Sequence, residues 1–259
     1  MPAPQRAVQR EVVVRRTVAD ATDSAAAAFT TIVRDALRRR DACYVSLSGG
    51  TTPYQMYKEL ASAAAVGDLP WGQIEVFFGD ERDVPHDDIE SNYNMALRTL
   101  LNNVPVQPTR VHPMRGDAPD LQAAAAEYEQ IIRQIVPAGD GGVPVLDLVL
   151  LGMGADGHTA SLFPGTEALK ETRKLVTGYH VPALGRARMT FTYPLINAAR
   201  NVVFLVTGED KAPAVAALLG SDPDARKNIP SACVAPASGK LTIILDQAAA
   251  KLTLLAAEG

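Results

Sequence analysis

The sequence predicts an α/β protein, built as a Rossmann-like three-layer α/β/α sandwich around a mostly parallel sheet. Strand-like apolar segments alternate with amphipathic ones, a pattern typical of parallel sheets with helices on both faces. Two of the strand-like segments, 74–78 and 147–151, are almost continuously apolar, as expected of strands covered on both sides. No low-complexity linker divides the 259 residues. We therefore predict one domain over 1–259, with a small subdomain at about 164–187, where strand signals weaken.

The first predicted elements are a strand around 12–14 and a helix over 20–40. Apolar residues of the helix recur at three- and four-residue spacing and share one face: Ala26, Phe29, Ile32, Val33, Ala36 and Leu37. The arginines at 38–40 follow at its carboxyl end, where the helix dipole stabilises cations, so we interpret them as a helix end and not as a binding patch. Further strands are predicted at 43–47, 74–78, 147–151, 188–192, 202–206 and 241–245. Further helices are predicted at 54–65, 91–101, 121–136 and 210–219.

Composition restricts the partners of the protein. A net charge of −4 leaves no excess of cations for a nucleic acid, whereas a small anionic substrate needs only a few. The first 16 residues lack the roughly 7–15 apolar residues of a signal peptide, and no apolar run approaches the ~18 residues of a membrane span. Cys43 and Cys233 are predicted to be buried, reduced thiols. We expect a cytoplasmic protein that binds a small molecule and neither nucleic acid nor membrane.

Three strand ends carry polar, glycine-containing turns, and ligands of parallel sheets bind at the carboxyl ends of strands. The first turn, 48–53, contains Gly49 and Gly50, which allow close approach of a ligand, and Thr51, which offers a hydroxyl. Pro53 suits the first position of the following helix. Free N–H groups at a helix start form an anion pocket, so we predict a phosphate site. An ordinary tight turn before a capped helix is the alternative.

The second turn follows an apolar strand with three charged residues: Asp80, Glu81 and Arg82. Such residues either pair with one another or face a ligand, and both alternatives stay open. Arg82 is suited to hold a phosphate or carboxylate through two hydrogen bonds. Downstream, Ser91 and Asn92 are plausible helix caps, whereas Asn94 is a candidate for contact with sugar hydroxyls.

The third turn, 152–161, places Asp156 two residues before His158 at the end of a predicted strand. Histidine gains and loses a proton readily near neutral pH, so His158 is a candidate general acid–base. The alternative is that His158 caps the helical turn that follows. The other histidines, at 86, 112 and 180, show no metal-ligand spacing, and we predict no metal site.

Five segments resemble, in order, motifs of the 6-phosphogluconolactonases, which belong to the same family as the glucosamine-6-phosphate isomerases and deaminases. They are SLSGGTTP, FFGDER with SNYNMA downstream, LLGMGADGHTASLFPG, FTYPLINAARNVVFLVTGEDKA and IPSACVAP. Together they span about 46–236, and their ordered combination is specific. The resemblance implies the sandwich fold of the sugar-phosphate isomerases and deaminases.

The resemblance also implies an activity, the hydrolysis of 6-phospho-D-glucono-1,5-lactone to 6-phosphogluconate in the oxidative pentose phosphate pathway. In the deaminases, the corresponding histidine is followed by a segment similar to Ile-Gly-Phe-Asn-Glu-Pro, whereas Thr-Ala-Ser-Leu-Phe follows His158 here. This difference favours lactone hydrolysis. A deaminase or isomerase, and a sugar-phosphate-binding protein without catalysis, are the alternatives.

Roles carried over by this resemblance make His158 the base that activates water and then the acid that protonates the ring oxygen. Asp156 would orient His158, or would bind a backbone N–H instead. The expected substrate contacts are Gly49, Gly50, Thr51, Asp80, Arg82, Asn94, Lys211 and Arg186, with Arg188 as a further candidate. Hydrolysis moves no electrons and a lactone is already an activated ester, so no cofactor or metal is expected.

Overall fold

A computed structural model of the protein describes residues 9–62, 67, 69–139 and 141–253. These described residues contain nine strands: β1 Gln9–Arg15, β2 Cys43–Leu47, β3 Ile74–Phe78, β4 Asp80–Arg82, β5 Leu148–Leu151, β6 Val176–Val181, β7 Arg186–Phe191, β8 Asn201–Val206 and β9 Lys240–Asp246. Six of them form one sheet in the order β1-β9-β8-β5-β2-β3, and every pair in it is parallel. The predicted α/β class and parallel sheet are confirmed.

The described helices are α1 Val18–Leu37, α2 Thr51–Leu60, α3 Asn92–Thr99, α4 Leu121–Ile135, α5 Tyr193–Ile196, α6 Ala212–Leu219, α7 Pro223–Lys227 and α8 Gln247–Ala250. Side chains cap several of them: Thr17 forms a capping box with Asp20 at α1, and Ser91 caps α3. Pro53 is the third residue of α2 and not the first, because Gly50, at φ 104°, turns the chain directly into the helix. The predicted end of this helix, at 63–65, lies outside the described residues.

The core lies between the parallel sheet and its helices, as the predicted sandwich requires. All four residues of β5 are buried. From α1, Phe29 stacks on Trp71, with 6.2 Å between ring centroids. From α4, the buried hydroxyl of Tyr128 donates to the carbonyl of His112 and accepts from the amide of Phe78. Helices are thereby fixed to strand ends by buried polar contacts as well as by apolar packing.

A second, antiparallel sheet corrects two sequence-based predictions. Its order is β4-β7-β6, so the predicted strand at 188–192 belongs here and not to the parallel sheet, and the charged triplet is a short strand and not a turn. β6 was missed because Gly178 interrupts its apolar pattern. A Cβ at Gly178 would lie 2.4 Å from the carbonyl oxygen of Leu121, so close packing of α4 demands glycine there. A separate subdomain at 164–187 stays a prediction.

Two further observations concern the chain as a whole. None of the described helices is long and apolar enough to cross a membrane. Both cysteines are free; Cys43 is buried as predicted, but Cys233 is exposed, because its segment is a 3-10 turn at the surface and not a strand.

Candidate active site

A cleft of about 390 Å³ lies at the carboxyl edge of the parallel sheet, where the residues following β2, β5 and β8 meet those of the small sheet. Its polar and charged lining includes Ser48, Thr51, Thr52, Asp80, Arg82, Asn92, His158, Ser161, Arg188, Thr207 and Lys211. Glycines of two predicted turns, at 49, 50, 152 and 154, line it as well. The structure therefore brings all three predicted turns into one cavity.

His158 lies at this cleft with its ring held on two sides. Its Nδ1 is 2.6 Å from Oδ1 of Asp156, and its ring stacks on Phe163 with 4.2 Å between centroids. The backbone N–H of His158 also donates to Oδ1 of Asp156, at 3.1 Å. Because Nδ1 is engaged by a carboxylate, the other ring nitrogen, Nε2, is available to exchange protons with a ligand.

The environment of Asp156 keeps it ionised. Partial burial acts to raise the pKa of this carboxyl, but the hydrogen bonds from the backbone and ring of His158 outweigh burial and hold the pKa below its usual value. Asp156 thus makes both of the contacts expected from sequence: it accepts from a backbone N–H and it pairs with the imidazole of His158. An ionised carboxylate at Nδ1 favours the tautomer with its proton on that nitrogen.

Glycines give the loop around His158 its shape. A Cβ on Gly154 would lie 2.1 Å from Nδ1 of His158, so no other residue fits there without moving the ring. Gly157 has φ +78°, which L side chains rarely adopt. The amide of Gly154 donates to the carbonyl of His158 and closes the loop. The sequence GMGADGH therefore encodes a tight loop that directs one histidine into the cleft.

The turn before α2 has the properties of an anion site. Gly50 precedes the helix with no side-chain cap, so the first N–H groups of this ten-residue helix are left for a ligand. The Thr52 hydroxyl lies 2.9 Å from that of Thr207, which follows β8. Thr51 is exposed at the cleft. Backbone donors and hydroxyls therefore converge at the positive end of a helix dipole.

Three cations add positive charge to the cleft: Arg82, Arg188 and Lys211. Burial lowers the pKa of Arg188, and the neighbouring charge of Arg82 lowers it further. Lys211 pairs with Asp210 at 2.7 Å, and Arg82 donates to the carbonyl of Glu90. Two arginines that repel each other in a partly buried cavity are stabilised by an anion between them.

A buried polar network forms one wall of the cleft. Asp80 accepts hydrogen bonds from the Ser161 hydroxyl at 2.7 Å and from Nδ2 of Asn92 at 3.1 Å. Nδ2 of Asn92 also donates to the backbone carbonyl of Asp80, at 2.9 Å. Asp80 is thus held by neutral partners and not by the adjacent arginine, which leaves Arg82 for other interactions.

Glu81, the middle residue of the triplet, is fully buried and faces away from the cleft lining. Its carboxylate accepts from the Ser91 hydroxyl and from the amides of Arg82, Asn92 and Tyr93. Burial raises the pKa of this carboxyl, although those four donors act to lower it. Glu81 therefore fastens the start of α3 to β4 and so fixes the two residues that flank it in the cleft wall.

Two predicted contacts lie elsewhere. Nδ2 of Asn94 donates to the carbonyls of Asp87 and Asp88, so this side chain holds a loop and not the cleft, which Asn92 lines instead. Arg186 pairs with Asp83 at 2.9 Å and with Glu90 at 2.7 Å, outside the cleft lining. Their hydrogen bonds are therefore made outside the cleft lining, and their roles as substrate contacts stay predictions.

Sequence reasoning also missed residues that line the cleft. Thr207 follows β8 at the same sheet edge as the predicted turns, so the strand-end rule could have found it. Asn92 was interpreted as a cap, although Ser91 performs that role. Ser161 lies in the predicted turn 152–161 but was not singled out, because its contact with Asp80 joins positions 81 residues apart.

Comparison with known proteins places these features in a family. Residues 16–243 match the family described as glucosamine-6-phosphate isomerases/6-phosphogluconolactonase. The chain is 41% identical over 220 residues to a 6-phosphogluconolactonase of Synechocystis sp., covering 85% of this chain and 88% of the relative. It is also similar to the structure of 6-phosphogluconolactonase from Trypanosoma brucei, with a TM-score of 0.84 and 29% identity over 95% of this chain and 99% of that chain. A monomeric glucosamine-6-phosphate deaminase matches at 22% identity, with a TM-score of 0.78 over 94% of this chain and 100% of the deaminase, and shows the fold alone.

Proposed function

Because the chain belongs to the glucosamine-6-phosphate isomerase/6-phosphogluconolactonase family, we propose that it hydrolyses 6-phospho-D-glucono-1,5-lactone to 6-phosphogluconate, the second step of the oxidative pentose phosphate pathway. The observation that carries the proposal is the pair of Asp156 and His158, 2.6 Å apart, in the same cleft as three cations and an anion turn. The pair supplies acid–base chemistry, and the positive charge supplies recognition of a phosphate.

In the proposed reaction, Nε2 of His158 takes a proton from water as the water oxygen attacks the lactone carbonyl carbon. The carbonyl electrons move to its oxygen, giving a tetrahedral oxyanion. When the carbonyl re-forms, the bond from this carbon to the ring oxygen breaks, and His158 returns the proton to that oxygen. The new carboxylic acid then loses a proton to solvent. Asp156 keeps the imidazole oriented and stabilises its positive charge between the two steps.

Recognition of the substrate is assigned to two parts of the cleft. The phosphate binds near the start of α2, where Gly49, Gly50 and Thr51 offer backbone and hydroxyl donors and Lys211 offers charge. Arg82 and Arg188 neutralise the remaining anionic charge. Asp80, whose carboxylate lies in the cleft wall, accepts from sugar hydroxyls.

The test follows the lactone produced by glucose-6-phosphate dehydrogenase and compares its disappearance with the spontaneous rate. We expect the purified protein to accelerate this hydrolysis and His158→Ala to abolish most of the acceleration. No acceleration would overturn the proposal. Release of ammonia from glucosamine 6-phosphate would instead identify a deaminase, and binding without turnover would identify a sensor. The proposal includes a cytoplasmic location, which cell fractionation tests.

A further inference from the structure

A segment distant in sequence from His158 presses on the loop that carries it. This segment, here called the brace, comprises Ile229, Pro230 and Ser231, and none of the three lines the cleft. We propose that the brace is a positioning element for the Asp156–His158 pair, acting on turnover and not on substrate binding. The predicted effect on turnover rests on the proposed function. The predicted effect on the geometry of the loop does not, and it can be measured without activity.

The first contact is with Gly157, the residue before His158. The amide of Ser231 donates to the carbonyl of Gly157 at 3.0 Å. The side chain of Ile229 covers the same residue, since a Cβ on Gly157 would lie 2.8 Å from both Cδ1 and Cγ2 of Ile229. Gly157 adopts φ +78°, and because it has no Cβ its backbone can also adopt other conformations. The two contacts restrict that freedom.

The second contact is with Met153, at the other end of the same loop. The Ser231 hydroxyl lies 3.1 Å from the sulfur of Met153. Both side chains are buried, and Met153 lines the cleft between Gly152 and Gly154. The brace therefore contacts the loop on both sides of Asp156 in sequence, at Met153 and at Gly157.

The brace is itself anchored to a third part of the chain. The Tyr193 hydroxyl donates to the carbonyl of Pro230 at 2.8 Å. Asn197 donates through Nδ2 to the carbonyl of Cys233 at 3.1 Å and accepts through Oδ1 from the amide of Ala235 at 2.8 Å. Tyr193 begins α5 and Asn197 caps its carboxyl end, so both ends of this helix anchor the brace and the residues that follow it.

These contacts matter because Asp156 has little else to fix it. Its side chain is half exposed and its hydrogen-bond partner is His158, so the two residues shift together when the loop shifts. Displacement of a catalytic group by about 1 Å can cost roughly 100-fold in rate. The cations and the anion turn lie on other elements, and none of the contacts of the brace given above involves them.

The decisive variant is Ile229→Ala, measured as kcat and KM in the lactone assay. We expect kcat to fall roughly 10-fold while KM stays within about twofold, and Ile229→Val to restore most of the loss. The matched control is Ile135→Ala, which removes the same atoms from another partly buried isoleucine, at the end of α4 and outside the cleft lining. Unchanged kcat in Ile229→Ala, or an equal fall in the control, would overturn the proposal.

A second variant, Tyr193→Phe, removes only the hydroxyl that holds Pro230, and we expect a fall in kcat of about threefold with KM unchanged. NMR gives a readout that needs no activity: the proton on Nδ1 of His158 should exchange with solvent several-fold faster in Ile229→Ala than in wild type and Ile135→Ala. Equal exchange in all three would refute the brace. If the wild type shows no hydrolysis but exchange still responds, the proposed function fails and the brace stands.

Discussion

The side chain of Asn92 occupies the space that any side chain at position 49 would need. A Cβ built on Gly49 lies 1.7 Å from Oδ1 of Asn92, which is itself buried without a hydrogen-bond partner in the described part of the chain. Asn92 is tied to Asp80 through Nδ2, so it has little room to withdraw. The anion turn and the buried wall of the cleft are therefore packed against each other as one unit.

Gly49→Ala is expected to destabilise the protein by about 1–3 kcal/mol, the usual effect of overpacking, and to raise KM. Gly72→Ala is the matched control, because nothing lies within 4 Å of a Cβ at that position. Denaturant unfolding of both variants measures the difference. In the background Asn92→Ala the effect of Gly49→Ala should shrink, and strict additivity of the two substitutions would contradict the packing account.

The Asp156–His158 pair gives the second prediction. His158→Ala should lower kcat by roughly 10²–10⁴-fold, the range typical of a lost general base, and change KM far less. In that variant the pKa of Asp156 should rise, because burial and the hydrogen bond from the backbone N–H of residue 158 remain, while the hydrogen bond and the charge of the imidazole ring are lost. NMR titration of the Asp156 carboxyl in both proteins checks the direction. An unchanged pKa would show that the backbone N–H of residue 158, and not the imidazole ring, holds the pKa of this carboxyl low.

Substitution of the cleft cations should act on binding. A hydrogen bond to a charged group contributes about 1.5–3 kcal/mol, so Lys211→Ala and Arg188→Ala should each raise KM by roughly 10- to 150-fold with smaller effects on kcat. Arg186→Ala is the comparison, since this arginine pairs with Asp83 and Glu90 outside the cleft lining. Steady-state kinetics of the three variants measures KM and so shows which of these cations contributes to substrate binding. A larger rise in KM for Arg186→Ala than for Arg188→Ala would show that Arg186 is the arginine of β7 that contacts the substrate.

The sequence alone does not distinguish these two arginines. Strand periodicity places residues two apart on the same face, so Arg186 and Arg188 of β7 are equivalent by pattern. Arg186 lies nearer the hairpin end and pairs with Asp83 and Glu90, both over 90 residues away in sequence. Arg188 lines the cleft instead. In contrast, β2 and β3 were predicted with their observed bounds, because apolar residues dominate both segments.

The glycine turns of the cleft were easier to predict from sequence than its wall. Glycines at strand ends are local signals, and they predicted the anion turn and the His158 loop. In the wall, the position of Asp80 after an apolar strand is also a local signal, but its contacts with Asn92 and Ser161 join separate segments, and no local pattern predicts them.

The two cysteines should differ in reactivity. Cys233 is exposed, whereas Cys43 is buried, and burial together with the charge of Asp147 raises the pKa of its thiol. A disulfide reagent such as DTNB should therefore modify one thiol in the folded protein and two after unfolding. Cys233→Ser should remove the fast reaction altogether. Rapid modification of two thiols under native conditions would contradict the buried position of Cys43.

Glu81 gives a prediction for stability as a function of pH. Burial raises its pKa in the folded protein above the usual 4.5, so between these two values the folded state binds more protons than the unfolded state. The contribution of Glu81 to the free energy of unfolding therefore falls as pH rises from about 4.5 through the folded pKa, and is constant above it. Glutamine does not titrate, so this fall should be absent in Glu81→Gln.

Glu81→Gln should also be less stable than wild type by about 1–3 kcal/mol, because its amide nitrogen cannot accept from the N–H of Tyr93 as the carboxylate does. Glu127→Gln is the control, since that glutamate is exposed on α4. Urea unfolding from pH 4 to 8 on all three proteins measures both effects. If the difference between wild type and Glu81→Gln grew with pH, the carboxyl would have a lowered folded pKa, and the four donors, not burial, would dominate at this site.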